Sequence, residues 1–177
     1  MTKLVPPVYT YTSQLSFSAK IWRYGKGYNR PSQCSMVFDT GASMTTLDEK
    51  LVRRAGYDLS NAFEATVNGV GKDNIPCRRI MIPYLELGGF DIGPTLVDVI
   101  MFSEKSNTTA VLGMNVIRHF TTTIDIDNTD VPFNNPDTPN GSITMQPKFD
   151  ITDKPVFENF LQKNTRFSIW IIRELSV

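Results

Sequence analysis

The sequence predicts a mainly β domain with one or two short helices, followed by a carboxyl-terminal extension. Three observations lead to this class: short apolar runs rich in β-branched and aromatic residues, turn residues between those runs, and few stretches with helical spacing. The chain has 177 residues, enough for one domain that buries about two-thirds of its unfolded surface. We expect the domain to span residues 1–147 and the extension to span residues 148–177.

The predicted strands are separated by loops with many glycine, asparagine and proline residues. In chain order the strands are Val8–Trp22, Gln33–Phe38, Phe63–Val67, Cys77–Pro83, Leu85–Leu87, Leu96–Phe102, Ala110–Leu112, Thr122–Asp127 and Ser142–Met145. Residues 24–30 and 68–74 suit hairpin loops, and residues 131–141 suit a surface excursion. The strands therefore pair largely as hairpins.

Two short helices are predicted between the strands. The first matches a capping box at Thr46–Glu49, in which Thr46 caps the amide of Glu49 and Gly56 ends the helix. The second runs from Met114 to His119 and begins directly after a strand and a glycine. Both helices are too short to form a helical layer.

Composition excludes several classes of function. The chain has 18 basic and 18 acidic residues without long runs of either, so nothing predicts a nucleic-acid or anionic-membrane partner. Residues 1–7 lack the apolar core of a signal peptide, and no run approaches the roughly 20 apolar residues of a membrane span. We therefore expect a cytoplasmic chain without a membrane segment. Cys34 and Cys77 permit one disulfide at most and form no CxxC redox or zinc motif, so no metal or cofactor is predicted.

The segment Met36–Ser43 contains the strongest functional signal. An apolar strand delivers Asp39 into a tight, polar turn. A carboxylate at the end of a buried strand costs several kcal/mol unless hydrogen bonds or a shared proton compensate it. The alternative is an ordinary Asx turn after a strand. The segment occurs once in the chain, and we interpret Asp39 as a functional acid.

Three other segments carry weaker signals. Phe90–Thr95 resembles a second acidic turn, but Ile92 and Pro94 break the pattern. Gly88-Gly89 directly before it makes the whole segment resemble a hairpin turn. Asp125–Asp130 lacks the glycine and glutamate of an EF-hand loop. His119, the single histidine, has no nucleophile-elbow motif to serve, and we interpret it as the end of a helix.

A wider pattern surrounds Asp39. Phe38–Ser43, a glycine-tipped hairpin and then Val111–Asn115 leading into a helix together resemble the retropepsin-like aspartic proteases, over roughly Val8 to Met145. The resemblance implies an acid-protease half-barrel that carries one catalytic motif per chain. It therefore implies an aspartic endopeptidase that works as a homodimer on an extended polypeptide.

The resemblance also implies roles for individual residues. Asp39 would be catalytic, Thr40 would bond across the two-fold axis, Gly41 would let the backbone approach the carboxylates, Ala42 would complete the turn, Ser43 would donate to the outer carboxylate oxygen, and Gly113 would pack beneath the turn. Asn68, Gly69, Val70 and Gly71 would form the tip of a flap that closes over the substrate.

Peptide chemistry independently favours pairing of two chains. Hydrolysis without a metal or a covalent nucleophile needs a base that deprotonates water and an acid that protonates the carbonyl oxygen. Two carboxyls that share one proton supply both, as is established for aspartic proteases as a class. One Asp39 cannot fill both roles, but an isologous dimer brings two together. The alternative function is a non-catalytic peptide-binding or dimerisation module that kept the fold.

The extension lies outside the resemblance. Phe149–Leu161 suits a short helix and Phe167–Ile172 suits a buried strand. The extension either forms part of the dimer interface or folds back over the cleft as an inhibitory segment. We favour the interface because so apolar a strand is costly to leave exposed.

Overall fold

The computed structural model describes residues 16–23, 30–69, 72–103, 106, 108–126 and 141–148. It confirms the mainly β class. The elements predicted on residues 8–15, 131–140 and 149–177 lie outside the described residues, as do Val70 and Gly71 of the predicted flap tip.

The described residues form nine strands and two short helices. The strands are β1 (Ser16–Trp22), β2 (Ser32–Phe38), β3 (Thr46–Asp48), β4 (Phe63–Gly69), β5 (Lys72–Leu87), β6 (Phe90–Ile100), β7 (Ala110–Leu112), β8 (Phe120–Ile126) and β9 (Gly141–Pro147). The helices are α1 (Glu49–Arg54) and α2 (Met114–Ile117).

Six strands close into a ring. The main sheet has the order β1-β2-β7-β3-β6-β5-β4, and β1 also pairs with β5. The ring therefore runs β1-β2-β7-β3-β6-β5, and β4 extends it as an edge strand beside β5. Closure of this kind leaves fewer unpaired strand edges. Strands β8 and β9 form a separate antiparallel pair.

The core fills the inside of this barrel. Its fully buried side chains are mostly aliphatic: Ile21, Met36, Leu47, Leu51, Val52, Ile82, Leu85, Leu112, Ile143 and Met145. The list includes residues of α1 and of β9, so the helix and the second sheet pack on the same core. Burial of this apolar surface is the main stabilising contribution to the fold.

Strand β3 corrects the predicted start of the first helix. Thr46 was expected to cap the helix, but Thr46 and Leu47 pair with β6 on one side and β7 on the other. The cap is Asp48, whose carboxylate accepts the amide of Lys50 at 2.8 Å. Gly56 ends the helix as predicted, with φ of +90°. The local pattern suited a helix cap, yet pairing in the sheet determined the conformation.

The hairpin between β5 and β6 corrects a second expectation. The turn was predicted at Phe90–Thr95, but Leu87 pairs with Phe90 and only Gly88 and Gly89 connect the strands. Both glycines have positive φ, 53° and 90°, as a two-residue hairpin turn requires. Phe90–Thr95 therefore belongs to strand β6.

Both cysteines are free thiols. Burial raises the pKa of Cys34 to about 12 and that of Cys77 to about 11. Both side chains therefore remain protonated near neutral pH. The permitted disulfide is not formed in this fold.

No helix in the described ranges is both long and apolar enough to cross a membrane.

The half-buried His119 predicts that acid weakens the fold. Burial, followed by the charges of Arg118 and Lys148, lowers the pKa of His119 below its ordinary value of 6.5. The unfolded chain then binds the proton more readily, so this contribution to stability is complete above about pH 6.5 and is lost as the pH falls through the folded-state pKa.

We expect His119→Gln to flatten the loss of stability in acid. Urea unfolding midpoints at about pH 7.5 and about pH 5, measured for wild type and variant, test this. The variant should lose less on acidification than the wild type does. Equal losses would show that His119 does not contribute.

Candidate active site

Asp39 stands at the point where β2 leaves the barrel. Phe38 pairs in parallel with Leu112 of β7, and the Asp39 amide extends this ladder by donating to the Leu112 carbonyl at 3.1 Å. The next residues turn away from the sheet, so the Asp39 side chain is exposed. The buried strand thereby carries a carboxylate to a fixed position at the surface.

The carboxylate of Asp39 is oriented by its own turn. Its Oδ1 accepts the amide of Gly41 at 2.8 Å. A Cβ atom on Gly41 would stand 3.1 Å from that same oxygen, closer than ordinary van der Waals contact. Glycine therefore allows the backbone to approach the carboxylate. In the described part of the chain this amide is the single hydrogen-bond donor to the carboxylate.

The start of α2 is hydrogen-bonded to the turn of residues 39–43, which is called the acidic turn from here on. The amide of Met114 donates to the Ala42 carbonyl at 2.8 Å, and the amide of Asn115 donates to the Ser43 carbonyl at 3.0 Å. Such first-turn amides have no partner within their own helix. Here the backbone of the acidic turn satisfies them, and the two elements are locked together.

Gly113 makes this close approach possible. A Cβ atom at Gly113 would lie 2.3 Å from the backbone carbon of Met44 and 2.6 Å from the amide nitrogen of Thr45. Real Cβ atoms do not come this close to backbone atoms. The segment before α2 therefore passes directly against the end of the acidic turn.

A buried polar pair that sequence reasoning missed completes this support. Thr45 is fully buried, and both its amide and its hydroxyl donate to Oδ1 of Asn115, at 2.8 and 2.9 Å. The Thr45 hydroxyl in turn accepts the Gly113 amide at 3.1 Å. The amide group of Asn115 donates to the Leu96 carbonyl at 2.9 Å, which ties the turn to β6. Because each polar group is satisfied, the network is stabilising and rigid.

The remaining predicted residues divide between this turn and the β4–β5 hairpin. Thr40 and Ser43 are exposed at the turn, and Ser43 contributes its carbonyl there rather than a hydroxyl bond to Asp39. Asn68 and Gly69 end β4, where the register shifts after Val67. The Asp91 carboxylate makes the same local contact, since its Oδ1 accepts the Gly93 amide at 3.0 Å, but Asp91 lies within strand β6.

A side-chain hydrogen bond joins the two strands of the predicted flap hairpin near its tip. Oδ1 of Asn68 accepts the amide of Asn74 at 3.0 Å. Asn74 has a positive φ of 55°, a conformation that asparagine tolerates better than most residues. The contact joins the two strands beside the tip and fixes the base from which the tip extends.

The fold agrees with comparisons to known proteins. A family profile described as aspartyl protease matches residues 27–116, which are 90 of the 177 residues. The chain belongs to the aspartyl protease family. Curated proteins gave no match to it.

Solved structures agree on the fold. A retropepsin-like aspartic protease from Rickettsia conorii aligns with a TM-score of 0.53 and 14% identity, over 81% of this chain and 90% of that chain. The EIAV protease in complex with the inhibitor HBY-793 aligns with a TM-score of 0.45 and 18% identity, over 62% of this chain and 90% of that chain. The alignment with the Rickettsia conorii protein shows that the fold of this chain is retropepsin-like.

Proposed function

We propose that this protein is an aspartic endopeptidase that acts as a homodimer, with Asp39 of each chain in one shared-proton pair. The observation that carries the proposal is the exposed Asp39 carboxylate, held by the Gly41 amide in a turn that α2 and the Thr45–Asn115 pair make rigid. Because hydrogen bonds from α2 and from the Thr45–Asn115 pair hold the turn, the fold fixes the position of this exposed carboxylate.

The reaction needs two such groups. Two carboxyls about 3 Å apart do not both ionise at low cost, so the singly protonated pair is populated over a range of pH. Its charged member takes a proton from water, and its neutral member gives a proton to the carbonyl oxygen of the peptide. Protein-fixed positions reduce the entropy that this step costs. In this proposal, Thr40 of each chain bonds across the two-fold axis.

The β4–β5 hairpin supplies the second part of the proposal. Its tip, including Asn68, Gly69, Val70 and Gly71, closes over the substrate, pairs with the extended peptide as an added strand, and excludes bulk water. The substrate is therefore an unfolded or extended polypeptide. The carboxyl-terminal extension, residues 148–177, contributes to the dimer interface in this proposal.

Cleavage of an unfolded protein tests the proposal. We expect purified protein to hydrolyse a reduced, unfolded substrate at mildly acidic to neutral pH, and a statine-type inhibitor to block the reaction. Sedimentation at the assay concentration should show a dimer. A dimer that cleaves nothing across this pH range, with and without residues 148–177, would instead identify a non-catalytic peptide-binding module.

A further inference from the structure

A continuous row of side chains on the outer face of the barrel begins beside the Asp39 turn. Directly paired residues of neighbouring strands point to the same face of a sheet. The pairing links Val37 to Val111, Val111 to Thr46, Thr46 to Asp98, and Asp98 to Arg79. The adjacent residues Leu47 and Leu112 are buried in the core, so the row faces outward. Asp39, two positions after Val37, belongs to the same face.

The far end of this row carries a buried ion pair. Nε and Nη2 of Arg79 donate to the two carboxylate oxygens of Asp98, at 2.6 and 3.0 Å. Asp98 has no exposed surface, while 15% of the Arg79 side chain is exposed. The charge of Asp98 also contributes, after burial, to raising the pKa of the neighbouring Cys77 thiol. Both carboxylate oxygens of Asp98 are therefore hydrogen-bonded within the chain, and the two bonds fix the plane of the Arg79 guanidinium.

Arg79 retains hydrogen-bond donors that its own chain does not use. A guanidinium has five N–H donors, and the structure shows no hydrogen bond from Arg79 to the described residues besides the two to Asp98. Its other nitrogens are not among the buried unpaired atoms of the described chain. Arg79 lines an open groove of about 590 Å³ on the β4–β5 hairpin, together with Glu64, Ala65, Thr66, Pro76, Cys77 and Arg78. The two other charged residues of the groove, Arg78 and Glu64, form an ion pair with each other at 3.3 Å. The remaining donors therefore lie beside solvent, in a groove large enough for a side chain.

We infer that Arg79, oriented by Asp98, determines substrate specificity by binding an acidic side chain of the polypeptide. A guanidinium offers donors and no acceptor, so its ligand is an acceptor, and a carboxylate makes the strongest such bond. Arg79 lies on the β4–β5 hairpin and on the same face as Asp39, where the proposed peptide would run. This inference rests on the proposed endopeptidase function.

The strand spacing limits where the acidic residue lies in the substrate. Four steps separate β2 from β5 along the ring β2-β7-β3-β6-β5. At about 4.8 Å per step, the path along the row from Val37 to Arg79 is roughly 19 Å. The direct distance is shorter because the barrel is curved, so an extended peptide covers it in at most about six residues. The acidic residue is therefore expected some residues away from the scissile bond, up to about six.

A peptide series tests the inference. A peptide that the protein cleaves, identified by mass spectrometry in a digest of an unfolded protein, is resynthesised with Glu, Gln or Leu at each position on both sides of the cleaved bond. We expect kcat/KM to favour Glu over Gln by about tenfold at one position in the stated range, because only Glu presents a charged acceptor.

The outcomes separate the inference from the function on which it rests. Cleavage of all peptides with Glu and Gln within about twofold of each other at every position would overturn the inference and leave the endopeptidase intact. Failure to cleave any peptide or unfolded protein would overturn the endopeptidase itself, and the inference with it.

Variants assign the preference to Arg79. In Arg79→Met/Asp98→Val both charges are replaced by apolar side chains, since removing one partner alone would leave a buried charge unpaired. The Glu-to-Gln ratio should fall to about one, with folding confirmed by the thermal transition. Arg79→Lys, which keeps the charge without the planar fork, should give an intermediate ratio. Arg54→Met is the matched control, because Arg54 is an exposed residue of helix α1 that does not line the groove and should keep the preference. A ratio unchanged in the double variant, or lost in Arg54→Met, would refute the role of Arg79.

Discussion

Asp39→Asn is expected to lower kcat/KM for peptide hydrolysis by about 10³-fold or more, while the fold and the dimer persist. The Asn side chain keeps an oxygen that can accept the Gly41 amide, now donated at 2.8 Å to Asp39, so the turn should survive. Asparagine cannot carry the negative charge that accepts a proton from water. The loss would therefore report on the chemistry rather than on folding.

The matched control is Asp91→Asn. Asp91 accepts the amide of the glycine two residues ahead, Gly93, at 3.0 Å, the same local contact that Asp39 makes with Gly41. It lies within strand β6 instead of an exposed turn. We expect its activity to stay within about twofold of wild type, because asparagine keeps an oxygen that can accept the Gly93 amide and Asp91 lies outside the Asp39 turn. Equal activity of Asp39→Asn and wild type would contradict the assignment of Asp39.

Gly113→Ala is expected to destabilise the protein by at least about 3 kcal/mol, beyond the usual cost of overpacking, and to abolish activity. The added Cβ would meet the backbone of Met44 at 2.3 Å, and backbone cannot move aside as a flexible side chain does. Either α2 shifts away from the turn or the turn moves with Asp39. Urea unfolding at a fixed protein concentration, together with the peptide assay, measures both effects.

Gly89→Ala is the control that separates the steric clash of an added Cβ atom from the general cost of replacing a glycine. A Cβ at Gly89 would meet nothing within 4 Å, although the φ of +90° disfavours a side chain there. We expect a cost of about 1–2 kcal/mol from that conformation, with activity retained. If Gly113→Ala lowers the free energy of unfolding no more than Gly89→Ala does, the segment before α2 is not tightly packed against the acidic turn.

The sequence predicted most strands because their signal is local. Apolar runs bounded by turn residues gave β2, β4 and β7 close to their observed positions, and the β8–β9 hairpin likewise. The described part of the predicted first strand, from residue 16 onward, is β1. Asp39 was singled out because a carboxylate after a buried strand is an unusual placement, and Gly113 because of the resemblance to the retropepsin-like family. The structure joins these two segments through hydrogen bonds from α2 to the turn.

The errors arose where tertiary pairing overrides a local pattern. Thr46–Glu49 satisfied the rule for a capping box, but the amide of Asp98 and the carbonyl of Thr45 bond each other and draw β3 into the sheet. Pro83 was expected to end a strand, yet β5 continues to Leu87 because the register shifts between Ile82 and Leu85. A proline is tolerated at such an irregularity, since no ladder bond is required of it.

The supporting network could not have been predicted from one sequence. Thr45 and Asn115 are 70 positions apart, and each alone resembles an ordinary polar residue. A weak signal did exist, because Asn115 directly follows the glycine segment that resembles the retropepsin-like family. Their partnership depends on the closure of the barrel, which brings α2 beneath the acidic turn. Long-range polar contacts of this kind require the fold.

Subunit mixing tests the shared pair of Asp39 residues most directly. Wild type and Asp39→Asn chains are unfolded together, refolded with a ninefold excess of the variant, and assayed at constant total protein. If each active site needs Asp39 from both chains, activity should fall to about one hundredth of that of pure wild type, because only wild-type pairs are active. A fall to only about one tenth would mean that each wild-type chain works without its partner's Asp39, and would contradict the proposed dyad.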